Sequence, residues 1–214
     1  MPTPHDETRE YDVRFPRTTE QRQGSMRIRA TRTRIYDDLT PDPRADLVRA
    51  LDRIVRPGDR VLDLGAGTGA SAHRLAHIVG PSGGVVALDR DGESVRFARQ
   101  RYPNPQVGFE LGWTETLSGE LDHAFDAAVA VDPLRDTTSQ IERARCATEI
   151  LRVIRPGGHL LCVGSSSESW EQARRAIEAC GPQPQDSTVR SRDWRASLYR
   201  LPGGDGPDEP APGT

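Results

Sequence analysis

The chain has 214 residues, enough to bury one full hydrophobic core, and its 35% apolar and 29% charged residues keep it polar but within the range of a globular fold. A formal charge of −3 gives no reason to expect nucleic acid or an anionic membrane as a partner. No apolar run approaches the roughly 18 residues of a membrane span, and Met1 to Gln23 lacks the apolar stretch of a signal peptide, so a cytoplasmic protein is expected.

In chain order, residues 1–25 show little periodicity and read as a flexible segment. From Met26 to Leu39, Ile28, Ile35 and Leu39 at helical spacing among arginines predict a short amphipathic helix. Asp42 caps a second helix with Leu47, Val48, Leu51 and Ile54 on its inner face, stopped by Pro57-Gly58. Strands and helices then alternate: strand Arg60 to Leu64, helix Ala70 to Val79, strand Val85 to Leu88, a helix capped by Asp91 and ending near Arg101, and strand Val107 to Leu111. Phe125 to Val131 is a near-continuous apolar run, as expected of a strand covered on both faces. A helix over about Thr138 to Ile154, a strand from His159 to Val163 and a helix from Glu168 to Ala179 follow. Ser187 to Arg190 and Trp194 to Leu201 alternate as a closing hairpin would, and residues 202–214 read as a disordered tail. The expected fold class is therefore α/β, a doubly wound and mostly parallel sheet, in one domain over 26–201 whose first part, 26–56, is expected to form helices and a lid.

The first strand of that series runs straight into glycines: Val61-Leu62-Asp63-Leu64-Gly65-Ala66-Gly67-Thr68-Gly69. Glycine at such a turn permits positive φ and lets a ligand touch the backbone, and ligands of open α/β sheets sit at the carboxyl ends of the strands. Two templates fit. Gly65-Ala66-Gly67-Thr68-Gly69-Ala70 satisfies G-x-G-x-x-G/A, with Asp89 about 20 residues beyond, as in dinucleotide sites. Asp63 argues against a dinucleotide, because a carboxylate there opposes a pyrophosphate and would welcome an ammonium group.

These residues resemble the class I S-adenosylmethionine-dependent methyltransferases. Asp63-Leu-Gly65-Ala-Gly67-Thr-Gly69 is similar to that family's first motif, and Asp89, closing Val85-Val-Ala-Leu-Asp89, to its ribose-binding acid. Gly112-Trp113-Thr114-Glu115 follows the third strand where the family contacts adenine, and Leu151 to Gly158 leads into the fifth strand as the family does. The resemblance covers roughly Asp42 to Leu201. It implies a seven-stranded Rossmann-like sheet with a C-terminal antiparallel hairpin strand, S-adenosyl-L-methionine as cofactor, and a cofactor site of Asp63, Gly65, Ala66, Gly67, Asp89, Arg90, Trp113 and Thr114. Trp113 stands where the family often has an aspartate that bonds the adenine amine; it either stacks on the ring or packs as core while Thr114 offers its amide.

Asp132, ending the fourth strand before Pro133, is the catalytic candidate at the cofactor or acceptor; a helix-capping role is its alternative. Metal is not expected, since only hydroxyls, Ser165 to Ser167, follow the fifth strand where catechol-type enzymes place acids or amides. His73 and His77, four apart on a helix, read as a solvated or packed pair rather than a zinc site. Cys146, Cys162 and Cys180 lack metal-like spacing and read as free thiols. The expected activity is O- or N-methylation of a small-molecule acceptor, with no nucleic-acid or membrane partner. A non-catalytic cofactor-binding protein is the alternative, and a nicotinamide oxidoreductase a more distant one: the chain contains no lysine for a Tyr-x-x-x-Lys pair.

Overall fold

The computed structural model describes residues 8–14, 25–31, 45–117, 122–190 and 194–203. Its centre is a seven-stranded sheet of β3 (Arg60–Leu64), β4 (Gly84–Asp89), β5 (Val107–Leu111), β6 (Phe125–Val131), β7 (Ile154–Gly164), β8 (Pro184–Arg190) and β9 (Arg195–Arg200), in the order β5-β4-β3-β6-β7-β9-β8. The first five strands pair in parallel, and β9 lies antiparallel between β7 and β8. This is the expected sheet. The chain winds outward from β3 to β5 on one side and from β6 onward on the other, so the strand order reverses between β3 and β6 and opens a crevice at their carboxyl ends.

Helices cover both faces. On one face α1 (Ala45–Ile54), α2 (Ala70–Val79) and α3 (Gly92–Arg101) contribute Leu51, Leu75, Val79 and Val95 to a cluster with Val61, Val85 and Val129. On the other, α4 (Gln140–Arg152) and α5 (Ser167–Ala179) contribute Ile150 and Ile177 to a cluster with Leu62, Leu64, Ala128 and Leu160. Alternate residues of β3 thus serve opposite cores, and a strand sealed on both sides must be apolar except where a polar residue has a purpose. Asp63 is that exception.

Local chemistry sets the helix boundaries. The Asp91 side chain accepts from the amides of Glu93 and Ser94 to start α3, and Ser139 and Glu142 form a capping box at α4. Helix α4 is shorter than the Thr138 to Ile154 expected, and β7 begins earlier, at Ile154, through an irregular register opposite Phe125 and Ala127.

The N-terminal expectation needs correction. Ser25–Thr31 is not the start of a helix but strand β2, paired antiparallel with β1 (Thr8–Arg14), Tyr11 opposite Ile28. The physical reason is the period: Met26, Ile28 and Ala30 alternate strictly with Arg27, Arg29 and Thr31, a two-residue pattern that outweighs the sparse helical spacing of Ile28, Ile35 and Leu39. Residues 32–44, with the Asp42 cap and the rest of that expected helix, lie outside the described residues, as do 204–214 of the tail.

Candidate functional site

The glycine turn closes over the end of β3. Gly65, Gly67 and Gly69 all have positive φ (84°, 57° and 94°). At Gly65 no side chain fits, since a Cβ would stand 2.6 Å from the Val131 carbonyl oxygen and 3.3 Å from the Trp113 ring. Gly65→Ala is expected to cost about 1–3 kcal/mol through backbone strain alone; chemical denaturation measures it.

The turn's amides point to β4. The Leu88 carbonyl accepts from the Gly65 and Ala66 amides (2.9 and 3.1 Å), and Asp89 Oδ2 accepts from the Gly67 amide at 2.8 Å. The second oxygen of Asp89 accepts from the Asp91 amide at 2.9 Å. Asp89 is buried, and these bonds fix its two oxygens at the end of β4. A dinucleotide turn uses its free amides to hold pyrophosphate; here the amides of Gly65, Ala66 and Gly67 are engaged within the protein.

Asp63, on β3, is fully buried against Ser71 in the first turn of α2. The Ser71 hydroxyl donates to its Oδ2 at 2.5 Å, whereas Oδ1 is buried with no hydrogen-bond partner. Burial raises the Asp63 pKa to about 7, with the charge of Asp89 adding to the effect and the Ser71 bond opposing it. A buried carboxylate oxygen without a donor is costly unless something positively charged or protonated meets it.

Across the crevice, Trp113 is buried and its indole N–H donates to the Pro133 carbonyl at 3.2 Å. The Arg90 guanidinium lies 4.7 Å over the Trp113 ring and pairs with Asp136 at 2.7 Å, which ties the end of β4 to the segment after β6. Trp113 therefore packs, by one face under Arg90 and by its edge beside Gly65. The Thr114 hydroxyl is turned toward the Cys146 sulfur, 3.2 Å away.

Asp132 adopts φ of 46°, unusual outside glycine, at the carboxyl end of β6. Its carboxylate accepts from the Ser165 amide (2.8 Å), the Ser165 hydroxyl (2.6 Å) and the Ser169 hydroxyl (2.8 Å). It does not cap the helix after β6, a role that belongs to Ser139. Instead it ties the ends of β6 and β7 together. Asp132→Ala removes these bonds and is expected to lower stability by about 2 kcal/mol, a fall of about 4–8 °C in melting temperature.

The structure thus gathers Asp63, Gly65, Ala66, Gly67, Asp89, Arg90 and Trp113 at the reversal of strand order, with Asp132 on the flank toward β7. Sequence reasoning missed Ser71, Ser165, Ser169 and Asp136, the partners that hold these acids and Arg90. The serine run after β7 was visible as hydroxyls, but nothing in the sequence joined it to Asp132. A cavity of about 310 Å³ lies elsewhere, at the amino ends of β3 and β4, near Gly58, Arg60, Ser82 and Gln106. None of those residues belongs to the crevice, and the chemistry of the crevice marks the site.

A doubly wound sheet with a glycine turn and two buried acids at its switch point defines a protein built to hold a nucleoside-bearing cofactor. The match to known families is specific: a family described as a methyltransferase domain matches residues 56–192. The chain belongs to that methyltransferase domain family, and its fold is that of the class I S-adenosylmethionine-dependent methyltransferases. Among solved structures, an S-adenosylmethionine-dependent methyltransferase from Aquifex aeolicus superimposes with a TM-score of 0.62 at 19% identity, over 78% of this chain and 98% of that one. Aeropyrum pernix fibrillarin, solved with natively bound S-adenosyl-L-methionine, gives 0.54 at 18% identity, over 72% and 73%. In sequence, the ubiquinone/menaquinone biosynthesis C-methyltransferase of Pseudomonas paraeruginosa is 32% identical over 128 residues, 58% of this chain and 49% of that protein. The chain spans about half the length of the curated relatives of that kind that it matches.

Proposed function

We propose that this chain transfers the methyl group of S-adenosylmethionine to a small-molecule acceptor, without a metal. The observation that carries this reading is the pairing of a buried Asp63 oxygen that has no donor with turn amides already engaged by β4. Such a site suits a cofactor bearing an ammonium group and a ribose better than one bearing pyrophosphate. The residues fit that cofactor. Asp63 would face its ammonium, the backbone of the Gly65 to Gly67 turn would line its chain, and the two oxygens of Asp89 would accept from the ribose hydroxyls. Trp113 would wall the base, with the Thr114 main chain beside it.

When bound, S-adenosylmethionine supplies a methyl group already activated on a sulfonium. The protein's task is then chiefly to align acceptor and methyl and to exclude water. Asp132 holds the β6 and β7 ends in register on the acceptor side, and its three donors suit it to positioning. Ser165 and Ser169 donate to Asp132 where a divalent metal would need further carboxylates or amides. For the acceptor atom, oxygen and nitrogen are the expectation from sequence, and the quinone-biosynthesis relatives, named C-methyltransferases, add carbon.

The test is transfer of a labelled methyl group from S-adenosylmethionine to a panel of phenols, quinols and amines. Transfer to one class, with S-adenosylhomocysteine formed in equal amount, is the expected result. Binding of the cofactor with no transfer to any class would favour a non-catalytic cofactor-binding protein.

A further inference from the structure

On the outer side of α2 the imidazoles of His73 and His77, four residues apart, turn their Nε2 atoms toward each other at 3.3 Å. The rings meet edge to face, with centroids 4.6 Å apart at 77°. His73 is further fixed by stacking on Tyr102, 4.5 Å between centroids and 19° between planes. Two ring nitrogens this close cannot both carry protons, so at least one presents a lone pair to the other. A tetrahedral Zn²⁺ bonded to two imidazole nitrogens at about 2.0–2.1 Å would hold them about 3.3–3.4 Å apart, so the pair already stands at chelating distance.

We propose that His73 and His77 form a two-imidazole site for a borderline divalent transition-metal ion such as Zn²⁺, separate from the cofactor crevice. Metal binding requires a neutral imidazole lone pair, and the 3.3 Å approach of the two Nε2 atoms already requires one. The Tyr102 stack fixes the His73 ring before any ion arrives, which lowers the ordering cost of chelation. Among the described residues no group of three or more histidine, cysteine, aspartate or glutamate side chains stands where it could hold a metal. The remaining coordination positions therefore go to water, and the ion is exchangeable rather than structural. Arg101 works against it, because its charge opposes any cation at His73.

The test is a calorimetric titration of the full chain with Zn²⁺ at neutral pH, in a Cys180→Ser background that removes the exposed thiol, with the histidine ring resonances followed by NMR. One equivalent is expected to bind and to shift both rings. His77→Ala, at an exposed position, should weaken binding roughly tenfold or more, and His73→Phe, which preserves the aromatic stack, should do the same. Arg101→Gln should tighten it. Absence of Zn²⁺ binding at millimolar ion, or equal binding by wild type and both histidine variants, would overturn the proposal.

Discussion

Under the proposed assignment, Asp89→Ala is expected to weaken S-adenosylmethionine binding by about two to four orders of magnitude, because a carboxylate accepting from two ribose hydroxyls would form charge-assisted bonds of about 1.5–3 kcal/mol each. The substitution also strips the Gly67 and Asp91 amides of their acceptor, and a melting-temperature fall of about 4–8 °C is expected with it. Calorimetry and thermal melting together separate the two effects. Asp132→Ala serves as the comparison, since it should melt earlier by a similar amount while retaining most of its cofactor affinity. If both variants lose affinity alike, the loss at Asp89 reflects the fold rather than a ribose contact.

The second large effect is a pH dependence centred on Asp63. Its pKa in the folded chain, about 7, lies above the ordinary aspartate value of 3.8. Between those values the folded chain keeps a proton that the unfolded chain has released, so Asp63 makes stability fall as pH rises from about 4 to about 7. Cofactor binding should run the other way. A ligand ammonium favours the ionised carboxylate, so binding releases a proton, and affinity rises by up to about tenfold per pH unit below pH 7 and levels off above it. Asp63→Asn should flatten both profiles, stabilise the free protein at pH 8 and weaken S-adenosylmethionine there. A wild-type affinity that does not change between pH 5.5 and 8, or an Asp63→Asn variant that keeps the slope, would remove Asp63 from the ammonium site.

Much of the sheet could be read directly from the chain. β3 and β6 are apolar runs covered on both faces, and the glycine turn and Asp91 cap mark the starts of α2 and α3. In the N-terminal segment the two-residue alternation of Met26 to Thr31 prevails over the helical spacing of Ile28, Ile35 and Leu39, and the chain pairs as a strand. The acids of the site were legible because their positions relative to the glycines are set by local geometry. Their partners were not. Ser165 and Ser169 reach Asp132 across 33 and 37 residues of sequence, and only the pairing of β6 with β7 brings them together. Arg90 and Asp136, 46 residues apart, meet for a similar reason, across the reversal of strand order. Nor does sequence reveal that the amides of Gly65, Ala66 and Gly67 face β4, the feature that separates this turn from a pyrophosphate cradle.

The most direct measurement is calorimetric titration of the chain with S-adenosylmethionine, S-adenosylhomocysteine and NAD(H), with Asp89→Ala as the control. Binding of the two sulfur nucleosides, lost in the variant, with no heat from NAD(H), is the predicted result. Binding of NAD(H) in preference to both would contradict the assignment of this crevice to S-adenosylmethionine.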